Sequence, residues 1–498
     1  MKRNTKNENP QFLEIRVDGG LDYSNSPTNI KDNELKRALN WMYDVSSDVL
    51  TTRPGTDCVT AAALASPIRK LYYYEKNSST AYLVCASGSK LYYFDGTDAW
   101  TEIGSLTDAT TVPSFLTFNT KLLIADGGND IRTWDGSTYT TIATSPKATC
   151  LAEIKGRVVA NATDEPDSVY FSKPEDESTW DTSGDALGLK AGFGDMLAVN
   201  GFAVHGDDLI VFKMSDTSKV KRIYRVNTSD TTASNWVCTS LSVNNGTQNA
   251  NSIVCAFNNV FFVDQNGFKS LKNVVEYGDM QVDETGAKIN QALSLLTCDE
   301  VNFIPYYNAV FIGAGDRNFV YSQKEGVGRF TDIIFNWGRC MSFCQVGNTV
   351  YLAGHNGYLY KFDDALATDE TAPSTTSSYA NYMRTKTFSY MGDVLIKKTF
   401  LFCIPVITGT GNLYVTDYSG NDTMIKSFTV VDYEMLADAT GYLADATGYL
   451  ADAGGNPWIE VSRNKVRGKD FAFEIRMPTG RVGIEKIQSE IVVLEGGE

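Results

Sequence analysis

Short apolar runs separated by turn residues repeat along most of the chain. Between Tyr82 and Ile142 the order strand, turn, strand, turn, strand occurs twice, about forty residues apart. The turns Asp95-Gly96 and Asp135-Gly136 stand between β-rich runs, which is a strong hairpin signal because Gly adopts φ > 0 without strain. A sheet of three or four strands repeated at this period is typical of a β-propeller blade.

The number of blades follows from a shared hairpin, in which a short turn with Asn or Gly precedes an apolar run. Seven such turns lie between residues 68 and 364, at Asn77, Asn119, Gly156, Gly206, Asn258, Asn308 and Gly347. The number of hairpins does not determine how the first and last blades join to close the ring. The sequence therefore predicts an all-β fold with a propeller of about six to eight blades over residues 61–364.

The flanking segments indicate the remaining domain organisation. In residues 1–60, Asp32 as a cap and apolar residues at helical spacing up to Met42 predict a short helix near the N-terminus. Residues 365–378 are small and polar, which predicts a linker. Residues 379–498 show alternating apolar positions, which predict a C-terminal β-sandwich-like unit.

A tandem heptad lies inside this C-terminal unit, at residues 437–453. A seven-residue period is typical of coiled coils, but a Gly in every heptad and the lack of a flanking charge pattern argue against one. We interpret the tract as an extended loop or long hairpin that grew by local duplication. Its aspartates and tyrosines are candidates for contact with a partner, a receptor or DNA, and a tolerated surface insertion is the default interpretation.

The acid and base content restricts the partners of the protein. The 498 residues include 44 Lys and Arg and 60 Asp and Glu, which gives a net charge of −16. Surfaces that bind nucleic acid are normally basic, so we expect no tight DNA binding by this chain alone. An acidic surface suits a passage through which DNA slides, and it also keeps a large aromatic-rich protein in solution.

Membrane and secretion signals are not evident in the sequence. No apolar stretch approaches the roughly twenty residues that a membrane helix needs. The basic opening, residues 1–8, is not followed by an apolar core, so we expect no secretory signal and folding or assembly in the cytoplasm.

Candidate catalytic and metal-binding residues are few. Nine cysteines without a C-x-x-C pair, most of them in apolar runs, indicate small buried hydrophobic residues in a reducing compartment. Cys340 and Cys344 would share one face of a strand, but two thiols do not complete a metal site. His205 and His355 each lie beside a Gly and are interpreted as turn residues. The sequence thus predicts no catalytic, cofactor-binding or metal residue, no cofactor, and no enzyme activity.

Several short motifs lie in the first 55 residues: Gly19-Gly20-Leu21-Asp22, Ser26-Pro27, Glu34, Ala38-Leu39-Asn40, Tyr43-Asp44 and Leu50-Thr51-Thr52-Arg53-Pro54-Gly55. Together they resemble the opening of the tail nozzle, or tail hub, proteins of short-tailed bacteriophages. The strand at residues 168–172, with Pro174 and Trp180, and the strand at Gly483-Ile484-Glu485 are similar to elements of that family as well. The heptad tract is outside the pattern.

The resemblance implies a structural virion protein of the phage tail, assembled in the host cytoplasm. Such a protein forms a ring of six identical subunits, the distal nozzle, which retains the genome and opens for DNA ejection. Tail-tube adaptor, tail-fibre or other tail proteins would dock on the ring. Double-stranded DNA would pass through the lumen without tight binding.

Two other functions fit the sequence pattern. One is a propeller that serves as a docking scaffold for protein partners. The other is a glycan-hydrolysing propeller, which needs paired carboxylates, or a Tyr nucleophile with an arginine cluster. Residues 95–100 lack the Ser-x-Asp-x-Gly-x-Thr-Trp order of a sialidase blade, and no arginine triad is visible. Phosphate-loop, zinc-protease and nucleophile-elbow motifs do not occur either.

Overall fold

The computed structural model describes most of the chain. It covers residues 11–97, 99–181, 185–195, 197–214, 220–247, 249–274, 279–407, 409–417, 422–430, 450–451, 457–461 and 466–494. The heptad tract at 437–453 lies outside the described residues except for Leu450 and Ala451, so its predicted loop conformation stays a prediction.

Five strands precede the propeller repeats: β1 (Gln11–Arg16), β2 (Leu35–Leu39), β3 (Trp41–Tyr43), β4 (Leu50–Thr52) and β5 (Gly55–Cys58). The predicted helix between Asp32 and Met42 is therefore wrong. A register irregularity between Leu35 and Arg37 turns Leu35 and Ala38, three residues apart, toward the same core. Asn40 then takes a left-handed conformation at φ 63° and separates β2 from β3. The buried residues therefore recur at helical spacing although they lie on two kinked strands.

Six blades each consist of four consecutive antiparallel strands. They are β6 (Ile68–Asn77), β7 (Thr80–Ser87), β8 (Lys90–Phe94), β9 (Trp100–Ser105); β10 (Ser114–Phe118), β11 (Lys121–Ala125), β12 (Arg132–Trp134), β13 (Tyr139–Thr141); β14 (Leu151–Ile154), β15 (Arg157–Asn161), β16 (Ser168–Phe171), β17 (Leu187–Lys190); β18 (Ala198–His205), β19 (Asp208–Met214), β20 (Lys221–Asn227), β21 (Val237–Ser242); β22 (Ile253–Ala256), β23 (Asn259–Asp264), β24 (Gly267–Val274), β25 (Asp279–Asp283); and β26 (Cys298–Ile304), β27 (Ala309–Ala314), β28 (Arg317–Lys324), β29 (Val327–Ile333).

A further blade closes the ring. It contains β30 (Cys340–Val346), β31 (Thr349–Gly354) and β32 (Leu359–Asp363), and its fourth strand is β5 from the N-terminal segment. The first strand of each blade contacts the first strand of the next, and β30 contacts β6. The all-β propeller is thus confirmed, with six blades of consecutive strands and one completed by β5.

The hairpin turns used to count blades lie where the sequence predicts them, between the first two strands of each blade. Asn119, Gly156, Gly206, Asn258, Asn308 and Gly347 all have positive φ, whereas Asn77 is the last residue of β6 and does not. This local conformation, which Asn and Gly tolerate best, is what made the repeat visible in the sequence.

The remaining strands follow β32: β33 (Thr368–Ala372), β34 (Thr375–Ser378), β35 (Asn381–Thr385), β36 (Phe388–Ile407), β37 (Gly409–Asp417), β38 (Asp422–Val430), β39 (Leu450–Ala451), β40 (Pro457–Val461), β41 (Val466–Met477) and β42 (Arg481–Leu494). The linker prediction for residues 365–378 is wrong, because β33 and β34 form a hairpin that extends the closing blade beside β5. Small polar residues suit an exposed edge hairpin as well as a linker.

The C-terminal unit is β-rich, as expected, and it is built jointly with the N-terminal segment. One sheet runs in the order β2, β35, β41, β36, β42, β4, β3, while β1 pairs with β42. Leu39 of β2 also pairs with Asp332 of β29, which joins this sheet to the sixth blade. One apolar core therefore includes Leu35, Phe330 and Phe473 together.

Helical structure in the described residues is limited to short turns. These are α1 (Asn290–Leu293) and the 3-10 turns Ala233–Asn235, Ala250–Ser252 and Pro305–Tyr307.

Candidate functional site

The first strands of the blades surround a central cavity of about 550 Å³. Because each blade turns its first strand toward the ring axis, every blade contributes to the lining. One contribution from each, in chain order, is Tyr72, Phe115, Leu151, Phe202, Ile253, Phe303 and Gln345. The cavity is the natural candidate site of this fold, since propellers enclose a channel on their axis.

An ion pair lies in the wall of this cavity. The Lys70 ammonium contacts the Glu300 carboxylate and donates to Asn251 Oδ1 at 2.8 Å. The other Glu300 oxygen accepts from the Phe343 backbone N–H at 2.7 Å, and the Glu300 side chain is only 2 % exposed. The network links the first blade to the fifth, sixth and seventh, so its first effect is to fix blades relative to each other.

The charge pattern of the cavity limits its chemistry. Among the described residues that line it, Lys70 and Glu300 carry the formal charges. Glycan hydrolysis needs two carboxylates, or a tyrosine beside an arginine cluster. The described lining therefore lacks the groups that the glycan-hydrolase alternative requires.

Arg53, from the N-terminal motif, lies in a second polar centre. Its guanidinium forms a bidentate pair with Asp369, with Nη1–Oδ1 at 2.9 Å and Nη2–Oδ2 at 2.6 Å, and both side chains are fully buried. The remaining donors reach the carbonyls of Pro54 and Ile334 and Asn40 Oδ1. All five N–H groups of Arg53 thus have acceptors.

The other motif residues pack around the same junction. Asn40 accepts from the Ile334 N–H at 2.9 Å and donates to the Ala380 carbonyl. Gly20, at φ 75°, lies so close to β29 that a Cβ there would be 2.8 Å from the Phe330 nitrogen. These residues therefore hold the N-terminal segment against the sixth blade and the C-terminal unit.

The histidines and cysteines do not come together in a site. His355 lies in the turn after β31, as predicted, whereas His205 is the last residue of β18 and pairs with Asp208 beside the turn. All nine cysteines are free, and Cys340 and Cys344 are buried. Burial raises the pKa of the Cys344 thiol to about 12, which keeps it protonated and unreactive. Cys255, in contrast to the expectation of burial, is exposed.

The described part of the chain holds neither a metal-binding cluster nor a membrane-spanning helix. Within the ranges given above, no group of three or more His, Cys, Asp or Glu is arranged to hold a metal ion. In the same ranges no helix has both the length and the apolar character to cross a bilayer.

The Lys70–Glu300 pair and the partner of Arg53 are not evident from the sequence. Lys70 and Glu300 stand in strand runs without a motif, and only the closed ring brings β6 next to β26 and β30. A charged residue inside an apolar strand was the only available signal, and such residues are common in this chain.

No protein-family model and no curated protein matches the chain. The similar solved structures include BamB from Moraxella catarrhalis, at 11 % identity over 63 % of this chain and 97 % of that chain, with a TM-score of 0.39. The WD40 β-propeller domain of Doa1 is 12 % identical over 62 % of this chain and 97 % of that domain, with a TM-score of 0.40. The computationally designed Ika8 protein is 13 % identical over 62 % and 99 %, with a TM-score of 0.38. Similarity at this level carries no argument about function, and the fold assignment rests on the strand pairing.

Proposed function

We propose that this chain is a structural subunit of the tail nozzle of a short-tailed phage. In this proposal six copies form a ring at the distal end of the tail, which retains the genome in the virion and opens for DNA ejection. Tail-tube adaptor and tail-fibre or other tail proteins dock on this ring. The function is mechanical, and the chain carries out no catalysis.

The observation that carries the proposal is the role of the N-terminal motif. Gly20, Asn40 and Arg53, three of the residues on which the resemblance depends, lie in one junction between the propeller, the N-terminal segment and the C-terminal unit. A subunit that transmits force in a ring needs its parts joined rigidly. Buried polar networks with every partner satisfied supply that rigidity.

The net charge of −16 supports the proposal, because DNA would pass through an acidic lumen without binding tightly. The propeller supplies a stiff body, because its blades share apolar clusters with both neighbours. A monomeric docking scaffold would need the same stiffness but no self-assembly.

The deciding experiment is mass photometry and electron microscopy of the purified chain, alone and mixed with a tail-tube adaptor protein. The proposal expects closed rings with a central hole in at least one of the two conditions. A monomer in both conditions overturns it and favours the docking scaffold. Hydrolysis of glycans by the purified chain would overturn both.

A further inference from the structure

A groove of about 590 Å³ lies where the N-terminal segment, the sixth blade and the C-terminal unit meet. Three large apolar residues from three separate elements are exposed along it. Val45 of the β3–β4 turn is 53 % exposed, while Tyr306 of the 3-10 turn and Val406 of β36 are each 39 % exposed. Three exposed apolar side chains that converge on one concave surface are unusual, because isolated ones are the norm.

The groove has a rigid aromatic base. Tyr307 packs edge-on against Phe362, with 5.6 Å between the ring centroids, and lies tilted against Phe311 at 6.0 Å. Tyr306 contacts Tyr307 edge-on at 4.9 Å. Aromatic side chains held in place before binding are the usual anchors of protein interfaces, because little conformational entropy is lost when a partner binds them.

Two carboxylates give the groove a negative rim. Asp364 is 54 % exposed and accepts from the Tyr306 hydroxyl at 3.2 Å, while Asp44 lies on the β3–β4 turn. Arg481 balances one of these charges, because its guanidinium forms an ion pair with the Asp364 carboxylate at 3.4 Å. Its side chain is only 6 % exposed and also donates to the Thr52 and Asp364 carbonyls. With two carboxylates and one largely buried cation in its lining, the groove keeps a net negative charge. Asp364 foremost, with burial and Asp44 adding to it, raises the pKa of Tyr306, which agrees with a negative potential here.

We propose that this groove docks a peptide segment of a partner protein in which apolar side chains alternate with Lys or Arg. The apolar side chains would cover Val45, Val406 and the tyrosines, and the cations would face Asp44 and Asp364. The inference rests on the proposed structural function, since it names where on the subunit a tail partner binds and with what chemistry.

The test uses fluorescence anisotropy of the full chain with a labelled peptide of alternating Leu and Lys. A peptide of alternating Leu and Glu is the matched probe. The wild-type chain should bind the Lys peptide at least about tenfold more tightly than the Glu peptide. Absence of measurable binding to the Lys peptide, or equal binding of both, overturns the proposal.

Three variants locate the binding. Val45→Arg places a cation in the groove, and Asp364→Asn removes a rim charge without changing its shape. Val327→Arg is the control, because Val327 is 62 % exposed at the β28–β29 turn, outside the groove lining. The first two should weaken Lys-peptide binding about fivefold or more, and the control should stay within about twofold of the wild type. If Val45→Arg and Val327→Arg weaken Lys-peptide binding equally, the peptide is attracted non-specifically to an acidic protein. That result would overturn the groove as the binding site.

Ring assembly and peptide binding can fail separately. Peptide binding by a chain that never forms rings would keep the groove and overturn the nozzle proposal. Rings that bind no peptide would keep the nozzle proposal and overturn the groove as a peptide-binding site. Thermal unfolding of each variant checks that these exposed substitutions leave the fold intact.

Discussion

Arg53 and Asp369 are 316 positions apart in the chain and form a fully buried bidentate ion pair. Asp369 also accepts from the Thr56 hydroxyl and the Asn336 N–H, each at 3.0 Å. The Arg53 guanidinium stacks over the Tyr379 ring at 3.6 Å. The pair therefore joins the β4–β5 segment to the β33 hairpin and to the entrance of the C-terminal unit.

Arg53→Lys should destabilise the protein strongly. Lysine has no planar fork, so it cannot reach both Asp369 oxygens and the acceptors at Asn40 and Ile334. The positive charge is kept, but buried acceptors lose their donors, and we expect a loss of about 3 kcal/mol in the free energy of unfolding. Urea unfolding followed by tryptophan fluorescence measures this loss.

The matched control for Arg53→Lys is Lys155→Met, which removes an exposed pair with Asp207. Exposed pairs contribute little, so the control should change the free energy of unfolding by less than about 1 kcal/mol. Equal effects of the two substitutions would contradict the structural role assigned to Arg53.

Gly20→Ala should cost more than Gly96→Ala. Both glycines have positive φ, at 75° and 89°, so both substitutions carry the left-handed penalty of about 1 kcal/mol. A Cβ at Gly96 meets nothing within 4 Å, whereas at Gly20 it would be 2.8 Å from the Phe330 nitrogen. We expect Gly20→Ala to lower stability by about 1–3 kcal/mol beyond Gly96→Ala. Thermal unfolding of the two variants side by side gives this difference, and a larger loss in Gly96→Ala would contradict the close approach to β29.

Asp126 should contribute stability that depends on pH. Its carboxylate accepts from the Thr107 and Asn129 N–H groups at 2.8 and 3.1 Å. Burial acts to raise the pKa of Asp126, but these and further hydrogen bonds outweigh it and lower the pKa. Because the folded pKa lies below the unfolded value of about 3.9, the stabilisation is present above that value and lost as pH falls through the folded pKa.

Asp126→Asn should therefore be less stable than the wild type near pH 7, and the gap should narrow below about pH 4. Thermal unfolding at a series of pH values measures it. Asp316→Asn, at an exposed position, serves as the control and should match the wild type near pH 7. A gap that widens on acidification would show that the charged form of Asp126 is not the stabilising one.

Removal of residues 1–60 should open the propeller. The truncation takes away β5, which is the fourth strand of the closing blade, and Arg53 with it. We expect binding of a hydrophobic dye and loss of the cooperative thermal transition. Removal of residues 1–10 alone leaves every strand from β1 onward in the chain and should preserve the transition. A cooperative protein without residues 1–60 would show that the N-terminal segment is an independent domain.

Some elements of the fold are easier to predict from the sequence than others. The hairpins at Asn119 and Gly347 were found because a turn with positive φ needs particular residues at that position. The segment from Leu35 to Met42 has the sequence pattern of a helix because a kinked pair of strands buries residues three or four positions apart. The hairpin at residues 368–378 has the small polar residues of a linker, although only β34 is mostly exposed and Asp369 of β33 is buried.

The candidate sites are harder to predict from the sequence than the fold. Arg53 was identified as part of a motif, yet Asp369 carries no local sign that it is the partner. The groove between Val45, Tyr306 and Val406 likewise depends on three segments far apart in the chain.

The sequence alone determined the strand and turn repeats, the all-β class and the acidic charge, because each depends on residues that are neighbours or on simple counts. The folded chain was needed to show that β5 closes the ring, that Arg53 meets Asp369 and that Lys70 meets Glu300. The two ion pairs join residues 316 and 230 positions apart, so they depend on the summed geometry of the intervening blades rather than on any local pattern.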